Sequence, residues 1–138
     1  LAVEQSSDNP VYYVQYGHAR IASIARKATP DQLSRAQAGD AQTLALLTQA
    51  PELALARRLA EFPAVVRSVV EGLAPSRLAR YLQSVAADFH QFYMACVVLG
   101  DDPDLSVARL SLALAAKTVL ASGLEILGVS APESMERT

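Results

Sequence analysis

Apolar residues recur at intervals of three and four along almost the whole chain, and prolines stand at several of the points where the pattern restarts or breaks. Leu78, Leu82, Val85, Phe89, Phe92 and Cys96 form the longest unbroken stripe. Side chains at that spacing share one face of an α-helix, and such a face has to be buried against another element. No segment alternates apolar and polar residues with the period of two that marks a strand. The fold expected is therefore all-α, a bundle of roughly five to seven helices joined by short connections.

Local signals place the helices. Asp8-Asn9-Pro10 offers an N-cap residue and then a proline at the first helical position, where its missing N–H is not needed. A helix from Pro10 to Lys27 follows, with Val11, Val14, His18, Ile21, Ala25 and Ala28 on its core face and Thr29-Pro30 as its stop. Residues 29–50 carry weaker signals, with Gly39-Asp40 as a break and Leu44, Leu46 and Leu47 as a short buried element. Pro51-Glu52 opens another helix, which Phe62-Pro63 bends before Val65, Val66, Val69 and Val70 lead to Gly72. Pro75 starts the helix that carries the long stripe, expected to end near Leu99-Gly100. The acidic loop Asp101-Asp102-Pro103-Asp104 leads into a last helix over residues 105–127, with Asp104 as N-cap and Gly128 as stop. Leu110, Leu112, Leu114 and Val119 occupy more than one of its faces, which predicts a place at the centre of the bundle.

With 138 residues, 51% of them hydrophobic and 19% charged, the chain can bury one domain-sized core and is not a disordered segment. The most apolar stretch is interrupted by Arg109, Lys117 and Glu125, a spacing of charges unsuited to lipid, so no membrane partner is expected. No export signal is recognisable, and the single Cys96 cannot form an intrachain disulfide, which fits the cytoplasm. Residues 1–8, without a start methionine, read as a leader from a preceding region, and residues 9–138 as the domain itself.

Catalytic chemistry finds little support. His18, His90 and Cys96 show no metal-ligand spacing, and neither a P-loop nor a dinucleotide glycine fingerprint occurs. His90 and Cys96 are six residues apart on one helix and point to different faces, which argues against a nucleophile pair. His18 lies in an apolar stripe, where a histidine is more often a hydrogen-bonded structural residue that orients its helix.

The faces away from the core are more informative. At about 100° per residue, Tyr13, Tyr16, Arg20 and Lys27 fall in one narrow arc opposite Val11, Val14 and Ile21. Tyrosines one and two turns before cations could stack bases and hold phosphates, or could be a pair half-buried under a neighbouring loop. On the Pro75 helix, His90, Tyr93 and Val97 share a face distinct from the stripe, and Tyr93 is its functional candidate. The net charge of −2 is awkward for a nucleic-acid binder, but residues 1–80 hold nine Lys and Arg against seven Asp and Glu, whereas residues 81–138 hold three against seven. Phosphate contacts are thus expected mainly from the first half.

Asn9-Pro10-Val11-Tyr12-Tyr13-Val14-Gln15-Tyr16-Gly17-His18-Ala19-Arg20-Ile21 closely resembles the helix that opens the anticodon-binding domain of arginyl-tRNA synthetases. In register with it, Phe89-His90-Gln91-Phe92-Tyr93-Met94-Ala95-Cys96 is similar to that family's Phe-x-x-Phe-Tyr-x-x-Cys segment. Leu127-Gly128-Val129-Ser130-Ala131-Pro132-Glu133-Ser134-Met135 resembles its Leu-Gly-x-x-x-Pro-Glu-x-Met ending. The likeness runs from about Ser6 to Met135. Gly17 stands where the family usually has alanine, Ser134 where arginine is common, and three residues follow Met135.

The resemblance implies a helical bundle of the class I synthetase anticodon-binding type. It places anticodon contacts on Tyr13, Tyr16, Arg20, Tyr93, Val97 and Met135. Its implied partners are tRNA for arginine and the catalytic domain of the same parent chain, with neither DNA nor membrane. No His-Ile-Gly-His or Lys-Met-Ser-Lys-Ser type signature occurs, so no cofactor is expected in this fragment, and ATP and Mg belong to the parent's catalytic domain. Two other readings remain: a stand-alone relative without aminoacylation, told apart by the coding sequence upstream, and a helical protein-interaction module, which would lack salt-sensitive RNA affinity.

Overall fold

The computed structural model describes residues 9–72 and 76–135, and those residues form seven helices and no strand. In chain order they are α1 (Pro10–Lys27), α2 (Pro30–Ala38), α3 (Ala41–Leu44), α4 (Ala50–Ala60), α5 (Phe62–Val70), α6 (Ser76–Ala95) and α7 (Pro103–Ile126). Residues 1–8, expected as a leader, Pro75 and the last three residues lie outside the described residues.

Helix α1 begins as its sequence dictates, with Asn9 Oδ1 accepting the Val11 N–H at 2.9 Å and Pro10 in the first turn. Thr29-Pro30 ends α1 and at once starts α2. The Thr29 hydroxyl accepts from the Gln32 N–H at 3.1 Å, and the Gln32 side chain accepts from the Thr29 N–H at 2.9 Å. The stop was legible, whereas its second use as a capping box was not. Helices α4 and α5 meet at Glu61, the bend expected at Phe62-Pro63. In the α3 region Leu44 and Leu47 are half-buried and Leu46 is exposed, so this element lies on the surface of the core and not within it.

Helix α7 is the centre of the bundle, packed by α1, α2, α3, α4 and α6. Length and composition alone would let it cross a membrane, but over half of its most apolar window is buried inside this fold. Leu110, Ala113, Ala116, Leu120 and Leu124 are fully enclosed. Its N-cap is Asp102, whose Oδ1 accepts from the N–H groups of Asp104 and Leu105 at 3.1 and 3.2 Å. The expected cap, Asp104, sits in the first turn and pairs with Arg35 of α2 at 2.9 Å, because Pro103 already occupies the first helical position.

Helix α6 delivers the long stripe to the core, with Leu78, Leu82, Val85 and Phe92 wholly buried. It runs beside α1 in the same direction and against α7: a Cβ built on Gly17 would lie 3.5 Å from Ala86 and 3.6 Å from Leu120. Gly123 lets α7 and α6 meet closely, since a Cβ there would overlap the Leu82 side chain. Helix α6 ends at Ala95, short of the expected Leu99-Gly100. The cause is distant. Arg109 Nη1 takes the Val97 carbonyl at 3.0 Å, and the Ser106 hydroxyl bonds both the N–H and the carbonyl of Gly100. Val98 rather than Leu99 becomes the buried residue.

Candidate nucleic-acid interface

The polar arc of α1 and the off-stripe face of α6 meet at the end of the bundle where both helices finish. Because α1 and α6 run side by side, Arg20 projects between Tyr16 of its own helix and Tyr93 of α6. Its guanidinium carbon lies 5.2 Å from the Tyr16 ring centre and 4.8 Å from that of Tyr93. Nη2 also donates to the Tyr16 hydroxyl at 3.0 Å, which leaves that hydroxyl's own proton free to be donated elsewhere. Behind Tyr93 stands Phe89, ring centres 6.0 Å apart, and Phe89 is core. The tyrosine is therefore backed by a packed ring, and its exposed portion is held in place.

Tyr16, Arg20, Ser23, Arg26, Lys27, Tyr93, Ser134 and Met135 line a depression of about 310 Å³. A second hollow of about 360 Å³ adjoins it at Ile24, Lys27 and Tyr93 and continues past Met94 and Val97, both strongly exposed. The surface thus brings together two partly buried tyrosines joined by the Arg20 guanidinium, two further cations and two exposed apolar side chains in one continuous region. Such a combination can stack unpaired bases and hold phosphates.

Residues 14–135 match the family described as the DALR anticodon binding domain. The chain belongs to that family. The DALR domain is 46% identical over 135 residues to the arginine–tRNA ligase of Chlorobium limicola, a match covering 98% of this chain and 24% of that protein. It is 49% identical over 135 residues to the arginine–tRNA ligase of Carboxydothermus hydrogenoformans, with the same coverage. Among solved structures, the Thermus thermophilus arginyl-tRNA synthetase superposes with a TM-score of 0.72 at 36% identity, covering 89% of this chain and 21% of that one. The domain spans about a quarter of the length of the curated relatives it matches.

Of the six residues singled out from sequence, Tyr16, Arg20, Tyr93 and Met135 share the first depression, and Val97 lines the hollow next to it. Tyr13 is exposed on the same face of α1 but lines neither hollow, and partial burial raises its phenol above the ordinary value. Lys27 of the arc lies at the junction of the two hollows. Ser23 and Arg26 were missed, being outside the arc.

The other residues weighed for chemistry separate. His90 is exposed, whereas Cys96 is buried, and burial pushes its thiol up, Glu52 adding to the shift and Arg109 opposing it. His18 is buried and hydrogen-bonded as expected, but its partner is the Pro132 carbonyl, 2.8 Å from Nδ1. It fixes the C-terminal segment and not only its own helix. Among the described residues no group of three metal-binding side chains occurs.

Proposed function

We propose that this DALR domain is the part of an arginine–tRNA ligase that recognises the anticodon loop of tRNA for arginine, in support of ATP-dependent arginylation in the cytoplasm by a catalytic domain elsewhere in the parent chain. The observation that carries this reading is the placement of Arg20 between the rings of Tyr16 and Tyr93 beside Met135. An unstacked base can lie on a tyrosine face there while phosphates meet Arg20, Arg26 or Lys27. Val97 would line the path of a neighbouring nucleotide, and Tyr13 would extend the aromatic face along α1.

Every arginine codon has G in the middle, so every arginine anticodon has C there, and the loop's middle base is the natural thing to read. The test is a titration with anticodon stem-loops carrying C or another base at that position. Wild type should prefer C. Loss of one stack should cost roughly 1–3 kcal/mol, so Tyr93→Ala should weaken binding by about tenfold at a temperature where circular dichroism shows the variant folded. Arg20→Ala should flatten the salt dependence by about one unit of log–log slope if its guanidinium meets a phosphate. Equal binding of all loops by wild type would remove the assignment.

A further inference from the structure

One wall of the candidate site comes from outside the two helices that form the rest of it. Residues 129–135 leave the end of α7 after Gly128, whose φ of 76° is the left-handed turn that sends the chain back across α1. Three side chains of α1 then grip the carbonyls of residues 130, 132 and 133. Gln15 Nε2 donates to the Ser130 carbonyl at 2.9 Å, and His18 Nδ1 meets that of Pro132 at 2.8 Å. Arg26 Nη1 donates to that of Glu133 at 3.0 Å. A carbonyl can only accept, so His18 is the donor and its Nδ1 carries the proton. Gln15 and His18 are 6% and 3% exposed, so neither reaches solvent to satisfy itself another way. From α7, Lys117 reaches the Glu133 carboxylate at 3.4 Å.

The grip fixes register. In an extended segment one residue spans about 3.3 Å, so a slip by one position moves every carbonyl beyond hydrogen-bond reach of its donor. What the register delivers is Met135, two residues past the last anchored carbonyl and in the lining of the Tyr16, Arg20 and Tyr93 depression. Tyr16 and Arg20 project from α1 on the side facing the site while Gln15 and His18 hold the segment from the same two turns.

We propose that His18, with Gln15, is a positioning residue for base recognition: by holding residues 129–135 in one register it sets Met135 as a wall of the tyrosine and arginine surface. The proposal rests on the reading of that surface as the base-reading site, and two readouts separate the failure of one from that of the other. The first needs no RNA. The chain has two methionines, Met94 and Met135, so a methyl-labelled protein gives two resonances. Met94 is exposed whereas Met135 is half-buried. His18→Leu keeps the bulk in the core and removes the donor; it should move the Met135 methyl towards the solvent-exposed position and leave Met94 unmoved. His18→Asn, which presents an N–H at nearly the same place, should restore it.

The second readout is affinity for the stem-loop with C in the middle. His18→Leu should weaken it by about fivefold, the same factor as Met135→Ala, and the double variant should be no weaker than Met135→Ala alone. A Met135 methyl that stays in place in His18→Leu, or losses that add in the double variant, would overturn the proposal. If wild type binds no loop at all, the base-reading assignment fails, while the methyl spectra still decide whether His18 positions Met135. Should His18→Leu fail to fold, Gln15→Leu carries both measurements with the same expected results.

Discussion

Removing Arg109 should harm this domain more than any exposed charge would. Glu52 is fully buried at the start of α4, and its carboxylate is satisfied on both oxygens: Oε2 by Arg109 Nε at 2.7 Å and Oε1 by the Gln49 N–H at 2.8 Å. Arg109, 15% exposed, also holds the Val97 carbonyl where α6 gives way to the loop. Arg109→Leu leaves the carboxylate buried with one hydrogen bond and no counter-charge, a defect that costs about 3–5 kcal/mol. The freed Val97 carbonyl adds about 1 kcal/mol. A domain of this size has about 5–15 kcal/mol in total, so the variant should lose from about a quarter to all of its stability. Replacing both partners, as in Glu52→Met with Arg109→Met, removes the buried charge itself and should cost less than Arg109→Leu alone. Urea unfolding followed by circular dichroism measures all three, provided the slope against denaturant is unchanged. A loss below about 1 kcal/mol for Arg109→Leu, the size of one ordinary hydrogen bond, would refute the argument, as would a double variant weaker than the single.

Two glycines predict opposite outcomes for one substitution. Gly17→Ala places its methyl at ordinary contact distance, 3.5 Å from Ala86 and 3.6 Å from Leu120, and should raise stability by up to about 1 kcal/mol through helix propensity. Gly123→Ala drives its methyl into the fully buried Leu82 side chain and should cost about 1–3 kcal/mol; equal melting temperatures for the two variants would contradict the packing described. Tyr81 donates its hydroxyl to the Arg58 carbonyl at 2.5 Å, and its phenol is pushed up to about 12, by burial first and by the Glu61 charge second, with Arg58 opposing. A raised value in the folded state means that this contribution is whole below about pH 10 and is lost as pH rises towards about 12. Tyr81→Phe should therefore be less stable than wild type at neutral pH, and the gap in urea midpoint should narrow over that alkaline window; a constant gap would show that Tyr81 does not titrate there.

How far the sequence could be read follows the range of the interactions involved. Helix α1 was legible to the residue because its cap, its first-turn proline and its stop all lie within three positions of its ends. The end of α6 was not, because it is set by Arg109 and Ser106, which act from α7 on Val97 and Gly100. The tyrosine and arginine arc was visible as a face of α1, and Tyr93 as a face of α6, since helical geometry alone assigns faces. That the two faces would meet required knowing that α1 and α6 run side by side in one direction, which no local pattern states. The anchors of residues 129–135 lie 107 to 115 positions from their partners, and no spacing rule links side chains at that separation.

Of the two readings of the α1 tyrosines, a base-stacking surface or a pair half-buried beneath a loop, the structure shows half-burial for Tyr16, while Tyr13 is exposed. Tyr16 is half-buried, its ring centre 6.4 Å from that of the buried Tyr12 and its hydroxyl tied to Arg20. Residues 129–135 do lie against α1, held by Gln15, His18 and Arg26, so the neighbouring loop exists. What distinguishes a lid from a wall is where the segment leaves the aromatic faces. It is bonded through its carbonyls to α1 and ends with Met135 at the rim of a hollow that keeps Tyr16, Arg20 and Tyr93 in its lining. Among the described residues that hollow measures about 310 Å³. Tyr16 against Tyr12 and Tyr93 against Phe89 are each held by a neighbouring ring, and under the function proposed above that partial burial would serve as preorganisation for the nucleic acid.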